Sequence, residues 1–192
     1  MIVIKLGGSL AESGQLLASL DTIDKNYQDK LVVIVPGGGG FAEQVRLSQQ
    51  IWQLDDRTAH AMAILAMQQM ALLFHGLKKQ FVLARSVKEI SMGLASSNVI
   101  IWSPDVDELN QAGIAASWDI TSDSLAAWLA NTLSAEALVL VKSAAIDIQD
   151  TQRTWEALAK QGIVDNAFDY FAAQAALPIK IINAGEFNGR SS

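Results

Sequence analysis

The sequence predicts an α/β fold built on a mostly parallel open sheet. Three observations carry that expectation. Short apolar runs alternate with longer segments of helical periodicity along the chain. Two of the runs, IVIKL and LVVIV, are apolar at almost every position, as strands covered on both faces must be. Each is followed within a residue by glycines, Gly7-Gly8 and Gly37 to Gly40, which mark strand-to-helix turns. The chain has 192 residues, 51% of them apolar and 18% charged. That is enough to bury one substantial core, and residues 1–192 read as one domain.

Taken in order, Ile2 to Leu6 is the first strand, and Leu16, Leu17, Leu20 and Ile23 then recur at helical spacing. Leu31 to Val35 is the second strand, ended by Pro36. Phe41 to Trp52 and Asp56 to Leu77 read as helices, the second stopped by Gly76. Phe81 to Leu83 is a third strand, Val87 to Ala95 a helix and Val99 to Trp102 a fourth strand. Pro104 is expected at the first position of a short helix, where its missing N–H costs nothing. Ser122 to Asn131 is helical, with Thr121 or Ser122 as N-cap. Ala137 to Lys142 and Ile179 to Ile182 complete the strands. Internal repeats, linkers and low-complexity stretches are absent.

Composition excludes several functions. Without cysteine there is no disulfide framework, thiolate zinc site or cysteine nucleophile. A net charge of −6 with no basic run argues against nucleic-acid binding by phosphate neutralisation. Anionic substrates must therefore be held by a few placed groups. The N-terminal run is broken too early by Lys5 and Gly7-Gly8 to be a signal-peptide core. The uncharged stretch Thr58 to Leu77 is rich in Ala and carries His60, Gln68, Gln69 and His75. It is expected to be a buried helix of a cytoplasmic protein with no membrane partner.

The glycine loops lie at strand carboxyl ends, where open α/β sheets bind ligands. Without a Cβ in the way, backbone N–H groups of Gly7, Gly8, Ser9, Gly37, Gly38 and Gly39 can approach phosphate oxygens. Either loop taken alone is also explained as a tight turn. Gly37-x-Gly39-x-x-Ala42 matches a dinucleotide-binding fingerprint, but the acids at the right distance, Asp55 and Asp56, precede a helix instead of following a strand. No Walker A sequence is present. Lys5 is the sharper signal. An ammonium inside an apolar strand must be paired, face a ligand anion, or snorkel from an edge. In Trp118 to Ala127, two acids flank hydroxyls at a helix start; capping accounts for one hydroxyl, and a carboxylate near Lys5 would keep that lysine charged and oriented.

Together these elements resemble the amino acid kinase superfamily, which includes acetylglutamate, carbamate, aspartate, uridylate and isopentenyl phosphate kinases. IKLGGSL is similar to the superfamily's Lys-x-Gly-Gly-Ser first strand, VPGGGGFAEQVR to its second glycine loop, and ITSDSLAAWLA to the Asp-containing segment before an Ala-rich helix. ALVLVKSAAID stands where such kinases carry a nucleotide loop. The resemblance spans almost the whole chain and implies a three-layer αβα sandwich and ATP-dependent phosphoryl transfer to an anionic acceptor. Mg²⁺ would arrive with ATP, with no metal held by the protein. It implies that Lys5 and Asp123 are catalytic. Thr121, Ser122, Lys142, Ser143 and Asp147 would face the nucleotide, and Arg46, Arg57 and His60 the acceptor. GGGGFAEQVR, the Ala-His-x-Met-Ala-Ile run and WDITSDSLAAWLA look most like the small kinases of methanogens and methylotrophs that act on [5-(aminomethyl)furan-3-yl]methyl phosphate.

Three departures stand out. The nucleotide loop Lys142 to Asp147 lacks its usual glycine. Gly162-Ile163-Val164-Asp165 replaces the Gly-Met-x-x-Lys segment that supplies a second lysine in acetylglutamate-type kinases, and the part after IINAGEFNGR is short. Lys142 is the candidate for that second lysine, beside a reading as a structural strand-end lysine. Other acceptors, a carboxylate, a carbamate or a nucleoside monophosphate, stay open, as does a non-catalytic oxyanion-binding subunit. A helix without charge between Arg57 and Lys78 needs a cover on its second face, so a homodimer or higher homo-oligomer is expected, with Met67 and Met70 in the contact.

Overall fold

The computed structural model describes residues 1–93, 97–143 and 154–189. The first half runs β1 (Ile2–Leu6), α1 (Ser9–Glu12), α2 (Leu16–Asn26), β2 (Val32–Pro36), α3 (Gly39–Trp52), α4 (Asp56–Leu77) and β3 (Val82–Ala84). Then come α5 (Val87–Gly93), β4 (Val99–Trp102), α6 (Val106–Gln111), α7 (Ser122–Thr132) and β5 (Ala137–Lys142). The described part closes with α8 (Trp155–Lys160), α9 (Phe168–Gln174), β6 (Ile179–Asn183) and α10 (Ala184–Phe187).

The six strands pair in the order β3-β4-β2-β1-β5-β6, and every pairing among the described strands is parallel. Alternation along the strands feeds two cores. Ile2, Ile4 and Leu6 point to a core with Leu20, Ile23, Met70 and Phe74. Val3, Val33 and Leu140 point the other way, to Leu125, Leu129, Phe168 and Phe171. Helices on both faces make the expected αβα sandwich. From β1 the chain turns toward β2, and from β5 toward β6, so the strand order reverses between β1 and β5. Crevices beyond the carboxyl ends of such a strand pair are where open α/β sheets bind ligands.

The two-residue period of a strand places Lys5 on the face of Val3, the face covered by α7. Lys142, two residues beyond Leu140, shares it. The sheet thus aims both lysines at the first turn of α7.

Several boundaries differ from expectation. Asp105, not Pro104, begins α6: its carboxylate accepts from the amides of Asp107 and Glu108, a better start than a ring that only fixes φ. Helix α4 has the expected bounds, Asp56 to Leu77, with Gly76 inside its last turn. The helix expected over Val87 to Ala95 is seen to Gly93, and Leu94 and Ala95 lie outside the described residues. The last helices, α8 to α10, are too short to show a periodicity in the sequence.

Helix α4 is long and apolar enough to cross a membrane by length and composition, but one side of it packs into the fold. The assignment of its two faces corrects the expectation for Met67 and Met70. Both are buried inside the chain, 4% and 2% exposed, along the same stripe as Ala59, Ile64 and Phe74. The uncovered apolar side chains are Leu65, Leu72, Leu73 and Leu77, with Ile51 and Trp52 exposed at the end of α3. A glutamate at Met67 or Met70 would therefore bury an unpaired carboxylate and disrupt the core, not merely an assembly.

Candidate active site

The two glycine loops touch backbone to backbone. A Cβ on Gly8 would lie 2.1 Å from the Gly39 amide nitrogen, and one on Gly37 2.5 Å from that of Gly8. Gly39 also has φ +53, a left-handed conformation that side chains disfavour. The loops are glycine-rich because they pack against each other at the carboxyl ends of β1 and β2, beyond what a turn alone requires. Behind the second loop, α3 begins at Gly39, and its N-cap residue, Gly38, offers no side-chain cap.

Beside the loops lies a buried charge cluster. Lys5 Nζ is 2.9 Å from Asp123 Oδ1, and Lys142 Nζ donates to Asp123 Oδ2 at 2.6 Å. One carboxylate thus holds two ammonium groups from adjacent strands, and the cluster keeps one net positive charge. Burial by itself would raise the Asp123 carboxyl, but the Lys5 and Lys142 charges outweigh it and hold it below its ordinary value. Burial, and next the Lys5 charge, push the Lys142 ammonium down to about 8, against the pull of Asp123. Lys5 is neither on an edge strand nor snorkelling, and is 5% exposed.

Two cavities flank the first glycine loop, and the first of them opens on this cluster. One, of about 330 Å³, is lined by Lys5, Gly7, Gly8, Ser9, Lys142 and Ser143 together with Gly162 and Ile163. Ser9 and Ser143 share a hydroxyl hydrogen bond of 2.7 Å across it. The other, of about 230 Å³, is lined by Gly8, Ser9, Gly37, Gly38, Gly39, Arg46, His60, Thr121 and Ser122, with Glu43 and Trp118 among the rest. Gly8 and Ser9 belong to both walls.

In the second cavity, the Arg46 guanidinium lies 3.9 Å from the centre of the Trp118 ring. The Trp118 indole N–H donates to Gln49 Oε1 at 2.6 Å, which fixes the ring. His60 is buried, and its Nε2 has no hydrogen-bond partner among the described residues. Burial lowers its pKa and favours the neutral imidazole.

Residues 1–145 match the amino acid kinase family. The chain belongs to that family. The [5-(aminomethyl)furan-3-yl]methyl phosphate kinase of Methanocaldococcus jannaschii is 27% identical over 202 residues, covering 100% of this chain and 78% of its own. Among solved structures, the uridylate kinase of Archaeoglobus fulgidus superposes with a TM-score of 0.72 at 18% identity, covering 99% of this chain and 96% of that one. UMP kinase from Ureaplasma parvum gives 0.70 at 17% identity, over 97% and 91%. Aspartate kinase from Synechocystis gives 0.68 at 16%, over 95% of this chain and 37% of its own. The chain is an ATP-dependent phosphotransferase of the amino acid kinase family.

Of the residues expected at the site, all but three line these cavities, and one of the three, Asp123, lies behind the first of them and holds its two lysines. Arg57 sits on the exposed first turn of α4, a turn before His60, and lines neither cavity. Asp147 lies outside the described residues. Thr121 occupies the N-cap position of α7 but makes no side-chain cap.

A carboxylate far along the chain takes that place. Asp165 Oδ2 accepts from the Thr121 amide and hydroxyl at 2.8 and 2.9 Å and from the Ser124 amide at 3.0 Å, and Oδ1 accepts from the Ser124 hydroxyl. Sequence reasoning noted Asp165 only where a family lysine segment was missing. A partner more than forty residues away leaves no local signal. Trp118 and Glu43 lie inside the segments WDITSDSLAAWLA and VPGGGGFAEQVR but were given no role there.

Proposed function

We propose that this kinase transfers the γ-phosphoryl group of ATP to a small phosphomonoester, [5-(aminomethyl)furan-3-yl]methyl phosphate, and forms its diphosphate. The shared Gly8-Ser9 turn carries the reading. One cavity reaches it with two lysines, the other with Arg46 and His60, so two phosphorylated molecules can meet over one glycine loop. ATP, accompanied by Mg²⁺, takes the Lys5–Lys142 side, and the acceptor takes the Arg46–His60 side. An acceptor phosphate oxygen bonds to the γ-phosphorus as the bond to the ADP oxygen breaks. The acceptor phosphate is already deprotonated at neutral pH, so no general base is needed. Catalysis is positioning plus charge neutralisation by Lys5 and Lys142, the backbone amides and Mg²⁺.

The acceptor side is small and fixed. Arg46, held over Trp118, supplies planar donors for phosphate oxygens. The Glu43 carboxylate on the same wall suits an ammonium group. The full-length similarity to the Methanocaldococcus jannaschii kinase supports the furan acceptor. The test supplies Mg²⁺-ATP with the furan phosphate, UMP, aspartate or N-acetylglutamate, and follows ADP release and new ³¹P signals. Diphosphate formed from the furan phosphate is expected; turnover only with a carboxylate overturns the reading. In the same assay, Arg46→Ala and His60→Ala should raise acceptor KM more than ATP KM. Equal effects on both would return His60 to a packing role.

The uncovered face of α3 and α4 supports association of two copies. Trp52 and Ile51, 74% and 68% exposed, lie with Leu65, Leu72, Leu73 and Leu77 on the α3–α4 pair, and large exposed apolar patches mark interaction surfaces. Leu72→Glu is expected to yield folded monomer in sedimentation runs where the wild type is a dimer. A wild-type monomer at micromolar concentration would sink this assembly.

A further inference from the structure

We propose that Asp165 is a positioning residue of the transfer centre: its carboxylate clamps the first turn of α7 to the wall of the Lys5–Lys142 cavity, and so sets where Asp123 holds the two lysines. The proposal rests on the reading that these lysines face the transferring phosphoryl group.

The clamp is specific in its placement. Its donors, Thr121 and Ser124, flank Asp123 on both sides along the turn. Asp165 itself follows Gly162 and Ile163, which line the cavity, by only two or three residues. Further ties bind the same two segments: the Ala167 amide donates to the Asp119 carbonyl at 2.9 Å, and Asn166 Nδ2 to Asp119 Oδ1 at 2.7 Å. Movement of the 162–165 wall therefore pulls on the turn that carries Asp123.

An ordinary N-cap would need much less. Thr121 stands at the N-cap position, yet its hydroxyl is turned to Asp165 instead of to the helix amides. The result is a half-buried carboxylate close to Asp123. Burial raises the Asp165 carboxyl, the Ser124 bonds oppose this, and the Asp123 charge adds to it. Such an arrangement costs stability that a simple cap would not.

Charge is the second part of the role. The groups facing Lys142 are Lys5 from β1, Asp123 from α7 and Asp165 from the segment after α8. Lys5 pushes the Lys142 ammonium toward losing its proton, and both carboxylates help retain it.

Asp165→Asn separates charge from shape. Its carbonyl can still accept from Thr121 and Ser124, while the amide nitrogen meets the Ser124 hydroxyl. The readout is an NMR titration of the lysine ¹³Cε signals without substrate, with Lys142 assigned by its loss in Lys142→Arg, beside kcat and its pH profile. In Asp165→Asn the Lys142 midpoint is expected to fall below its wild-type value of about 8. The alkaline limb of kcat should move the same way. The kcat itself should drop about 10- to 100-fold, the scale on which small misplacements act. A Lys142 midpoint and a kcat profile that stay put while Tm falls would make Asp165 a cap and nothing more. Ser124→Ala keeps the charge and loosens the clamp; a kcat equal to wild type in that variant would overturn the positioning role. A wild type that turns over no acceptor would refute the assignment of the lysines to phosphoryl transfer, while the lysine titration would still judge the link from Asp165 to Lys142.

Discussion

Lys5→Ala should lower kcat by about 10²–10³-fold with ATP KM changed far less, the scale seen when one fixed donor to a developing oxyanion is removed. Lys5 lines the first cavity beside the Gly8-Ser9 turn that both cavities share, and under the proposed function its charge would matter most when the phosphoryl group is between donor and acceptor. Asp123→Ala should lose a similar amount, because it leaves both ammonium groups without the carboxylate that orients them. The double variant should be little worse than either single one, since groups acting as a unit are not additive. Steady-state kinetics test this, with circular dichroism to establish that each variant keeps its fold. Near wild-type turnover in Lys5→Ala would remove phosphoryl transfer from this centre.

Lys142→Met should separate activity from stability. Loss of the second ammonium should reduce kcat by about 10²-fold or more. The Lys142 pKa is about 8 in the folded chain, below the ordinary lysine value of 10.5. Between those values the unfolded chain binds more protons, so stability rises as pH increases across that window. At neutral pH the buried charge on Lys142 opposes folding, and an apolar side chain of similar length relieves that opposition. Thermal unfolding should then show a Tm at pH 7 no lower than wild type, together with a flatter pH dependence above pH 8. The wild-type kcat/KM should fall as pH rises past about 8, where Lys142 loses its proton. A large loss of Tm in Lys142→Met would show that the lysine is structural.

Much of this was legible in the residues. IVIKL and LVVIV read as buried strands because their apolar runs leave no solvent face, and both are central. Lys5 was conspicuous because an ammonium in such a run demands a partner, and Asp123 is that partner. The long helix was also legible, but not its orientation. Its two sides are both apolar, so composition could not say which meets the sheet, and Met67 and Met70 turned out to be core. Arg57 shows a related limit: it shares a helix side with His60, but one turn nearer the exposed helix start it lies in solvent.

By itself, the sequence determined the strand and helix order, the two glycine turns and the pairing requirement of a buried Lys5. These are local properties: periodicity, apolar runs and the cost of an isolated charge act over a few residues. Only the tertiary structure decided the strand order that sets β1 beside β5, and with it the meeting of Lys5 and Lys142 on one carboxylate. It alone brought Asp165 to the start of α7 and pressed Gly8 against Gly37 and Gly39. Such contacts join segments tens of residues apart, and their energy depends on how the whole sheet packs, which no local pattern records.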